Sequence, residues 1–263
     1  MLALIAGTGA LPEAVAGQLD APPLVCALIG HAPDTLTVDV TFRLETLGSF
    51  LAVLRDNGVK QVCMAGAIGR PAIDPNAIDA ATLPLVPLIG KAMASGDDGA
   101  LRAAIEIFEA AGLEVCAAQD IAPNLLPGAG CLSRLTPGER DRRDAARGAG
   151  IVAAMARADV GQACVVAESQ ALVLEGAFGT DWMLQGLATR PDAGGGVLFK
   201  APKPGQDRRV DLPVIGPDTI LAACAAGLTG VVIEAGGVMV LDRDLVVAEC
   251  DRLGLFLWVR EPD

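Results

Sequence analysis

A run of twelve residues, KAPKPGQDRRVD at positions 200–211, concentrates positive charge in an otherwise acidic chain. It holds Lys200, Lys203, Arg208 and Arg209, although the formal net charge is −12 at pH 7. Proline and glycine interrupt the run, which favours a loop between regular elements. Because a chain that needs only solubility would spread its few lysines, the clustering favours a binding or catalytic loop over a solvated turn.

Two further loops in the second half combine glycine with charged side chains. They are DVGQ (159–162) and LEGAFGTDWM (174–183), and both adjoin predicted strands. Polar side chains on loops that a rigid scaffold holds in place are typical of functional sites. Solvated hairpin turns are the alternative for both loops.

The N-terminal motif AGTGALP (6–12) places Gly7 and Gly9 between a predicted strand and a predicted helix. Glycines in such a turn let backbone N–H groups approach a phosphate. Pro12 stands where a dinucleotide fingerprint has its third glycine, and the second strand ends in Gly30-His31 rather than an acid. The alternatives are a turn without a ligand and, among ligands, a nucleotide other than NAD.

Two other N-terminal loops are candidate contacts for that nucleotide. The loop AGAIGRP (65–71) follows the third strand, at the strand end where open α/β sheets bind ligands, and Arg70 can pair with phosphate. In SGDD (95–98), Asp97 and Asp98 can accept hydrogen bonds from a ribose or a base. A plain surface loop and helix N-capping are the respective alternatives.

The hydrophobic periodicity predicts an α/β protein of two domains. In the first half, strands and helices alternate, which predicts a parallel sheet with right-handed crossovers. The predicted strands are 2–6, 24–30, 61–68 and 114–121, a turn enters a helix after residue 6, and the other predicted helices are 48–58 and 99–112.

A linker is predicted at 122–135, because this segment has proline and glycine but no periodicity. Thr136 as N-cap, Pro137 at the first helical position and Glu139 in a capping box then predict a helix. We therefore expect a Rossmann-like domain at 1–132 and a distinct α/β domain at 136–263. The strands predicted in the second domain are 163–168, 171–175, 197–200, 230–234, 238–241 and 255–259, and its later helices are 218–226 and 243–253.

Composition excludes several classes of protein. The acidic balance argues against nucleic-acid binding, which needs a basic surface. The longest uncharged run near the C-terminus, 220–233, is too short for a membrane span of about 20 residues. His31 is the only histidine, which excludes a multi-histidine metal centre and a Ser-His-Asp triad elsewhere in the chain. Seven cysteines without a C-x-x-C pair indicate buried thiols in a reducing cytoplasm.

Several motifs together resemble those of the LpxI family. They are AGTGALP, SGDD, DVGQACVV, LEGAFGTD, KAPKPGQDRRVDLPVIGPDTI and AGLTGVVIEAGG. The family consists of UDP-2,3-diacylglucosamine pyrophosphatases of lipid A assembly in some Gram-negative bacteria. The resemblance covers nearly the whole chain and is most specific over residues 200–219. It implies Mg²⁺-dependent hydrolysis to UMP and 2,3-diacylglucosamine 1-phosphate (lipid X), with UDP on the first domain and the catalytic and lipid-binding groups on the second.

The resemblance also implies roles for individual residues. Lys200, Lys203 and Arg209 would neutralise the pyrophosphate, and Asp181 and Asp207 would hold Mg²⁺ or orient the attacking water. Gln162 and Thr180 complete the expected catalytic set. The residues expected to bind the nucleotide are Gly7, Gly9, Ala10, Leu11, Pro12, Gly66, Gly69, Arg70, Asp97 and Asp98.

One position departs from the family pattern. The family has an acidic residue immediately before AGL, where this chain has Ala225. If that acid is catalytic, this chain is impaired, and a UDP-lipid-binding protein without turnover is the alternative function. The resemblance further implies a cytoplasmic protein that touches the inner membrane transiently at its cytoplasmic face. Whether the chain forms a homodimer is left open.

Overall fold

The computed structural model describes residues 1–69, 71–94 and 96–262, except the side chain of Asp97. The chain forms two compact units. The first comprises Met1–Pro123 together with Asp207–Asp211, and the second comprises Asn124–Gln206 together with Leu212–Asp263. The run 200–211 is thus divided between them, because its last five residues belong to the first unit.

The first unit is built on a sheet of five parallel strands in the order β3-β2-β1-β4-β5. This confirms the predicted Rossmann-like parallel sheet. Its strands are β1 (Leu2–Ala6), β2 (Leu24–Leu28), β3 (Val40–Phe42), β4 (Gln61–Ala65) and β5 (Glu114–Cys116). The chain turns back in strand order between β1 and β4, which is where open α/β sheets form a ligand crevice.

The helices of this unit are α1 (Leu11–Ala16), α2 (Leu47–Asp56), α3 (Val86–Ala94), α4 (Asp97–Ala110) and α5 (Ala118–Ile121). The predicted strand 114–121 was wrong in its second half. β5 stops at Cys116, and Ala118–Ile121 forms α5, with the N–H of Ala122 donating to the Ala118 carbonyl at 2.9 Å. Alanine and glutamine are good helix formers, so local propensity prevails there. Neither β3 nor α3 was predicted.

The second unit is built on a mixed sheet in the order β6-β13-β11-β9-β7-β8. Its strands are β6 (Gly130–Cys131), β7 (Ala163–Ala167), β8 (Gln170–Leu174), β9 (Val197–Lys200), β11 (Gly230–Glu234) and β13 (Phe256–Arg260). The central strands β9, β11 and β13 are parallel, and β7 runs antiparallel to β9. A separate two-stranded sheet pairs β10 (Val214–Ile215) with β12 (Met239–Val240). The predicted linker 122–135 is therefore not wholly irregular, because β6 pairs with β13.

Helices α6 (Glu139–Ala156), α7 (Gly179–Leu187), α8 (Pro217–Ala225) and α9 (Arg243–Leu253) cover this sheet. The predicted cap of α6 was wrong. The helix begins at Glu139, Gly138 precedes it, and the Asp141 carboxylate accepts the Gly138 N–H at 2.8 Å. Asp141 thus accepts the N-terminal amide of the helix, and Thr136 and Glu139 do not form the predicted capping box. Helix α7 was not predicted at all.

Each unit has its own apolar core. In the first, Phe42 and Phe50 stack with ring centroids 4.1 Å apart. In the second, aliphatic side chains of β9, β11 and β13 pack against α7, α8 and α9. The predicted burial of thiols holds for Cys26, Cys63, Cys164 and Cys250, whose pKa burial raises to about 12. None of the described helices has both the length and the apolarity that crossing a membrane requires.

A buried carboxylate fixes the hairpin between β7 and β8. Asp144 on α6 is 1% exposed and accepts the backbone N–H groups of Glu168 at 3.0 Å and Ser169 at 2.6 Å. Both turn residues have positive φ, of 52° and 63°, a conformation that costs non-glycine residues energy. The two hydrogen bonds offset that cost and hold β8 against β7.

We expect Asp144→Ala to lower the free energy of unfolding by about 1–3 kcal/mol, because two turn amides lose their acceptor. Urea denaturation monitored by circular dichroism measures the change. Glu168→Gln is the matched control, since it removes only an exposed ion pair with Arg140 and should cost less than about 1 kcal/mol. Equal stabilities for the two variants would show that Asp144 does not hold the turn.

Candidate functional site

In the second unit, polar residues converge at the carboxyl end of β9. Because β7 is antiparallel to β9, Ala163 at the start of β7 pairs with Lys200 at the end of β9. The N–H of Glu175, just after β8, donates to the Ala163 carbonyl at 2.9 Å. Strand pairing thus brings Gln162, Glu175 and Lys200 to one edge of the sheet, as the crevice rule for strand ends expects.

Hydrogen bonds join these residues into a buried network through Thr180. The Lys200 ammonium donates to Thr180 Oγ1 at 2.8 Å and to the Val214 carbonyl at 3.0 Å. Thr180 Oγ1 in turn donates to Glu175 Oε1 at 3.0 Å. Lys200, Thr180 and Glu175 are each 7% exposed. The threonine therefore links a buried cation to a buried anion, which compensates both charges without direct contact between them.

The loop before β7 completes this network, which we call the Lys200 network (Gln162, Glu175, Thr180 and Lys200). Glu175 Oε2 accepts the backbone N–H of Gln162 at 3.0 Å. Within the described part of the chain, the buried Oε1 of Gln162 has no hydrogen-bond partner. A buried acceptor without a partner is rare in folded proteins and marks a position where a ligand donor can bind.

Glycine is required beside this network at one position. Gly161 has φ +44°, and a Cβ there would lie 2.3 Å from the Glu175 carbonyl oxygen. Only glycine allows the two loops to approach this closely.

Glu175 was missed as a site residue by the sequence reasoning. Its signal is an acid at the end of a strand and just before a glycine in LEGAFGTD. Gln162, Thr180 and Lys200, by contrast, were expected in one site, and the structure brings them together.

Lys203 lies beyond the end of β9 and is paired with an acid. Its ammonium contacts Asp159 Oδ1 at 2.5 Å, and its side chain is 10% exposed. The backbone N–H of Lys203 donates to Gln206 Oε1 at 2.9 Å, which shapes the loop. Asp159 belongs to the loop DVGQ, so this ion pair connects two of the loops that were predicted to form the site.

Arg209 belongs to the first unit, where acids surround it. It donates to both oxygens of Asp207, at 3.0 and 2.7 Å, and to Glu109 Oε1 at 2.7 Å. The hydrogen bonds from Arg209 hold the pKa of Asp207 below its ordinary value. The sequence reasoning gave Arg209 and Asp207 separate tasks on the substrate, whereas the structure pairs them with each other.

The two expected metal ligands fall in different units. Asp181 is exposed on the first turn of α7 in the second unit, and Asp207 is in the first. Among the side chains that the structure describes, no group of three or more acidic, histidine or cysteine residues is arranged to hold a metal ion.

Ala225 lies at the other edge of the second sheet from the Lys200 network. It is exposed and is the last residue of α8, a helix that Gly216 precedes. The residues after α8 bond near the start of β9, since the Gly195 N–H donates to the Gly227 carbonyl. The length of β9, roughly 10 Å, therefore separates this edge from Lys200. The structure does not bring Ala225 together with Lys200, Thr180 and Gln162.

In the first unit, the loops after β1 and β4 are joined across the crevice. Thr8 and Ala67 form a bridge with two backbone hydrogen bonds of 3.0 and 2.9 Å. A Cβ on Gly7 would lie 2.4 Å from the Ala67 carbonyl oxygen, and one on Gly66 would lie 2.8 Å from Pro12 Cγ. Glycine is therefore needed at both positions for the two loops to pack together, whether or not a ligand binds there.

The carboxylate of Asp34 contacts the glycine turn after β1. Asp34, in the loop after β2, accepts the Gly9 N–H through Oδ2 at 3.0 Å. Sequence reasoning missed it because it looked for an acid directly at the end of the second strand. Asp34 already accepts the Gly9 N–H, which a phosphate was expected to use. The Asp34 carboxylate can instead accept a hydrogen bond from a ribose hydroxyl.

The other expected nucleotide contacts lie in these loops and in the first turns of α1 and α4. Ala10 precedes α1, and Leu11 and Pro12 form its first turn. A Cβ on Gly69 would lie 3.2 Å from His31 Nε2, so the loops after β2 and β4 meet there. Asp98 accepts from Arg102 Nε at 2.8 Å within α4. Arg70 and the side chain of Asp97 lie outside the described residues.

Comparison with known proteins gives two kinds of match. Residues 1–125 match the LpxI N-terminal domain, and residues 128–258 match the LpxI C-terminal domain. The chain is also 36% identical, over 275 residues, to the UDP-2,3-diacylglucosamine pyrophosphatase LpxI of Caulobacter vibrioides. That alignment covers 99% of this chain and 98% of the Caulobacter protein. Since the two domain matches span nearly the whole chain in order, the protein belongs to the LpxI family.

Proposed function

We propose that the chain hydrolyses the pyrophosphate of UDP-2,3-diacylglucosamine in lipid A biosynthesis, releasing UMP and 2,3-diacylglucosamine 1-phosphate (lipid X). One observation carries the proposal: a relative named for this activity aligns with 99% of the chain. A UDP-lipid-binding protein without turnover is not favoured, because that full-length relative is named as an enzyme.

The step adds water across the phosphoric anhydride. A bond forms between the water oxygen and one phosphorus, and the bridging P–O bond breaks. The bonding electron pair leaves with the other phosphate, and a water proton passes to a base. Asp181 is a candidate base because it is exposed on the turn that carries Thr180.

Fixed cations supply the electrostatic part of the proposed mechanism. Charge develops on the departing phosphate in the transition state, and preorganised cations stabilise it. Lys200 ends β9 and Lys203 follows it, and Thr180 and Asp159 hold the two ammonium groups in place. We assign both lysines to this role and Glu175 to positioning Thr180. Such a local pair of cations matters in an acidic chain, whose overall field repels an anionic substrate.

Mg²⁺ dependence is part of the proposal. Mg²⁺ usually keeps several waters and binds through one or two carboxylates plus substrate phosphates. Asp181 can supply such a carboxylate, whereas both oxygens of Asp207 already accept from Arg209. When bound, the ion would neutralise charge on the pyrophosphate oxygens.

We further propose that the uridine nucleotide binds the first unit at the carboxyl ends of β1 and β4. A Cβ on Gly9 would meet no atom within 4 Å, so this turn leaves room for a ligand, whereas Gly66 is needed for packing against Gly7 and Pro12. Asp34 is the group we assign to the ribose. The protein would act in the cytoplasm, at the inner face of the inner membrane, where a diacylated substrate resides.

The proposed function predicts that the purified chain, with Ala225, releases UMP from UDP-2,3-diacylglucosamine dispersed in detergent. EDTA should abolish release, and added Mg²⁺ should restore it. Because position 225 lies at the opposite edge from the Lys200 network, Ala225→Asp should leave the rate within about twofold. A silent parent chain activated by Ala225→Asp would instead make position 225 catalytic, and silence of both proteins would favour the binding-protein alternative.

Thr180→Val should lower both stability and the rate of UMP release. It keeps the shape of the side chain but leaves Lys200 and Glu175, both buried, one partner short, at a cost of about 1–3 kcal/mol. Thr180→Ser is the matched control, since it keeps the hydroxyl and should stay near the parent in both measurements. Urea denaturation and UMP release provide the two readouts. If valine behaves like serine, the hydroxyl does not link the network.

Lys203→Ala should lower kcat by about 100-fold while weakening UDP binding much less, because its charge acts mainly in the transition state. Steady-state kinetics and calorimetry with UDP measure the two effects. Asp159→Asn removes the partner but keeps the ammonium, and should cost far less in kcat. Equal losses in both variants would assign Lys203 to loop structure rather than to chemistry.

A further inference from the structure

The main chain of Gln162 is held on both sides by hydrogen bonds. Its N–H donates to Glu175 Oε2 at 3.0 Å, and its carbonyl accepts the Ala201 N–H at 3.1 Å. Ala163, the next residue, pairs with Lys200 in the sheet. The start of the Gln162 side chain is therefore fixed beside Lys200, one of the two cations that we assign to the pyrophosphate.

The far end of the Gln162 side chain is unsatisfied. Its Oε1 is buried, and among the residues that the structure describes it finds no hydrogen-bond partner. A buried acceptor without a donor costs free energy, and folded proteins rarely keep one. The residue as a whole is partly exposed, so Oε1 lies close to the surface of the site, and a small turn of the amide about its soft terminal torsion can uncover it.

The chemistry of the acceptor indicates which part of a ligand it suits. An ionised phosphate has only acceptor oxygens, which suit the ammonium groups of Lys200 and Lys203 but not Gln162 Oε1. A diacylated glucosamine is bonded directly to the pyrophosphate and carries neutral donors, namely its free hydroxyl groups and the N–H of its 2-amide. The lysines and Gln162 thus suit two adjoining parts of one molecule.

An uncharged acceptor also fits this position better than an acid would. A carboxylate could accept the same hydrogen bond, but its charge would repel the neighbouring pyrophosphate. Water is the other possible donor, but it must lose a proton when it attacks, and a neutral amide is not a base for that proton. A sugar donor keeps its proton, so the amide of Gln162 favours the sugar.

We propose that Gln162 determines specificity for the amino sugar by accepting, through Oε1, a hydrogen bond from a hydroxyl or the amide N–H of the diacylated glucosamine. The inference rests on the proposed function, which supplies the sugar, and it names the residue that recognises the group beside the anhydride. Because folding has already removed water from Oε1, the hydrogen bond forms without a further desolvation cost at that atom.

Gln162→Met is the test variant, because it keeps the length of the side chain and removes the acceptor. In the free protein it deletes a buried unsatisfied oxygen, so the midpoint of urea denaturation should stay level or rise. Gln185→Met is the matched control, since Gln185 is an exposed glutamine on α7 and its replacement should change neither the midpoint nor the rate of UMP release. A lower midpoint for Gln162→Met alone would assign the amide to loop structure and overturn the proposal.

Substrate analogues test the hydrogen bond itself. UDP-2,3-diacylglucosamine in detergent is compared with analogues that lack the 4-hydroxyl, lack the 6-hydroxyl, or carry an ester oxygen in place of the 2-amide N–H. The parent chain should hydrolyse one of the three with at least about tenfold lower kcat/KM, and that analogue identifies the donor. Gln162→Met should lower kcat/KM for the full substrate by a similar factor but should not lower it for that analogue, whereas Gln185→Met should discriminate like the parent.

Three outcomes of the analogue series would overturn the proposal. The first is a parent that does not discriminate among the four substrates, and the second is equal discrimination by the parent and Gln162→Met. The third is a Gln162→Met variant that lowers kcat by one common factor for all four substrates with KM unchanged, which would show that Oε1 orients the attacking water instead.

Binding of 2,3-diacylglucosamine 1-phosphate separates this inference from the proposed function, because this product carries the sugar donors without the anhydride. In a thermal-shift titration in detergent, Gln162→Met should bind it about tenfold more weakly than the parent. A parent that binds the product through Gln162 but releases no UMP would refute the proposed function and leave the sugar contact standing. A parent that releases UMP while Gln162→Met binds the product as tightly would overturn the inference and leave the proposed function standing.

Discussion

Burial of the Lys200 ammonium constrains how the elements of the second unit pack around β9. A buried cation at the end of a central strand is costly unless its N–H groups find hydrogen-bond acceptors and an anion lies nearby. Thr180, the Val214 carbonyl and, through Thr180, Glu175 meet that demand. Thr180 is on α7, Val214 is on β10 and Glu175 directly follows β8, so these hydrogen bonds fix the positions of the three elements around β9 together.

The acidic composition governs how the other cations are held. Lys203 pairs with Asp159, and Arg209 pairs with Asp207 and Glu109. In the proposed mechanism, a substrate phosphate at Lys203 therefore meets a cation that is already oriented and already partnered by Asp159. Its binding would exchange one anion for another, and such an exchange favours a ligand with more charge than a single carboxylate. A pyrophosphate meets that condition.

The sequence allowed the layers of both units to be predicted, because buried strands read as short apolar runs between glycine-rich turns. It also allowed the loops of Gln162, Thr180 and Lys200 to be predicted as one site, through the resemblance to a family. Glu175 and Asp34 were missed because each acts through a hydrogen bond to a residue distant in sequence. The role of Asp141 was missed for a different reason: Thr136 and Glu139 also fit a capping box, and the sequence does not show that Gly138, one turn before Asp141, is the N-cap of the helix. Ala225 was expected near the chemistry because the resembling family has an acid at that position, yet the end of α8 lies near the start of β9, away from Lys200.

The short segment Asp207–Asp211 gives the chain an interleaved order of assembly. Residues of the second unit precede and follow it in the sequence, but the segment itself belongs to the first unit, where Arg209 binds Glu109. A ribosome delivers the first 123 residues long before it delivers this segment, so the first unit emerges incomplete. Domains generally fold as units during synthesis. The Glu109–Arg209 pair can therefore close only after most of the chain has been synthesised, so this contact is one of the later ones that the first unit gains.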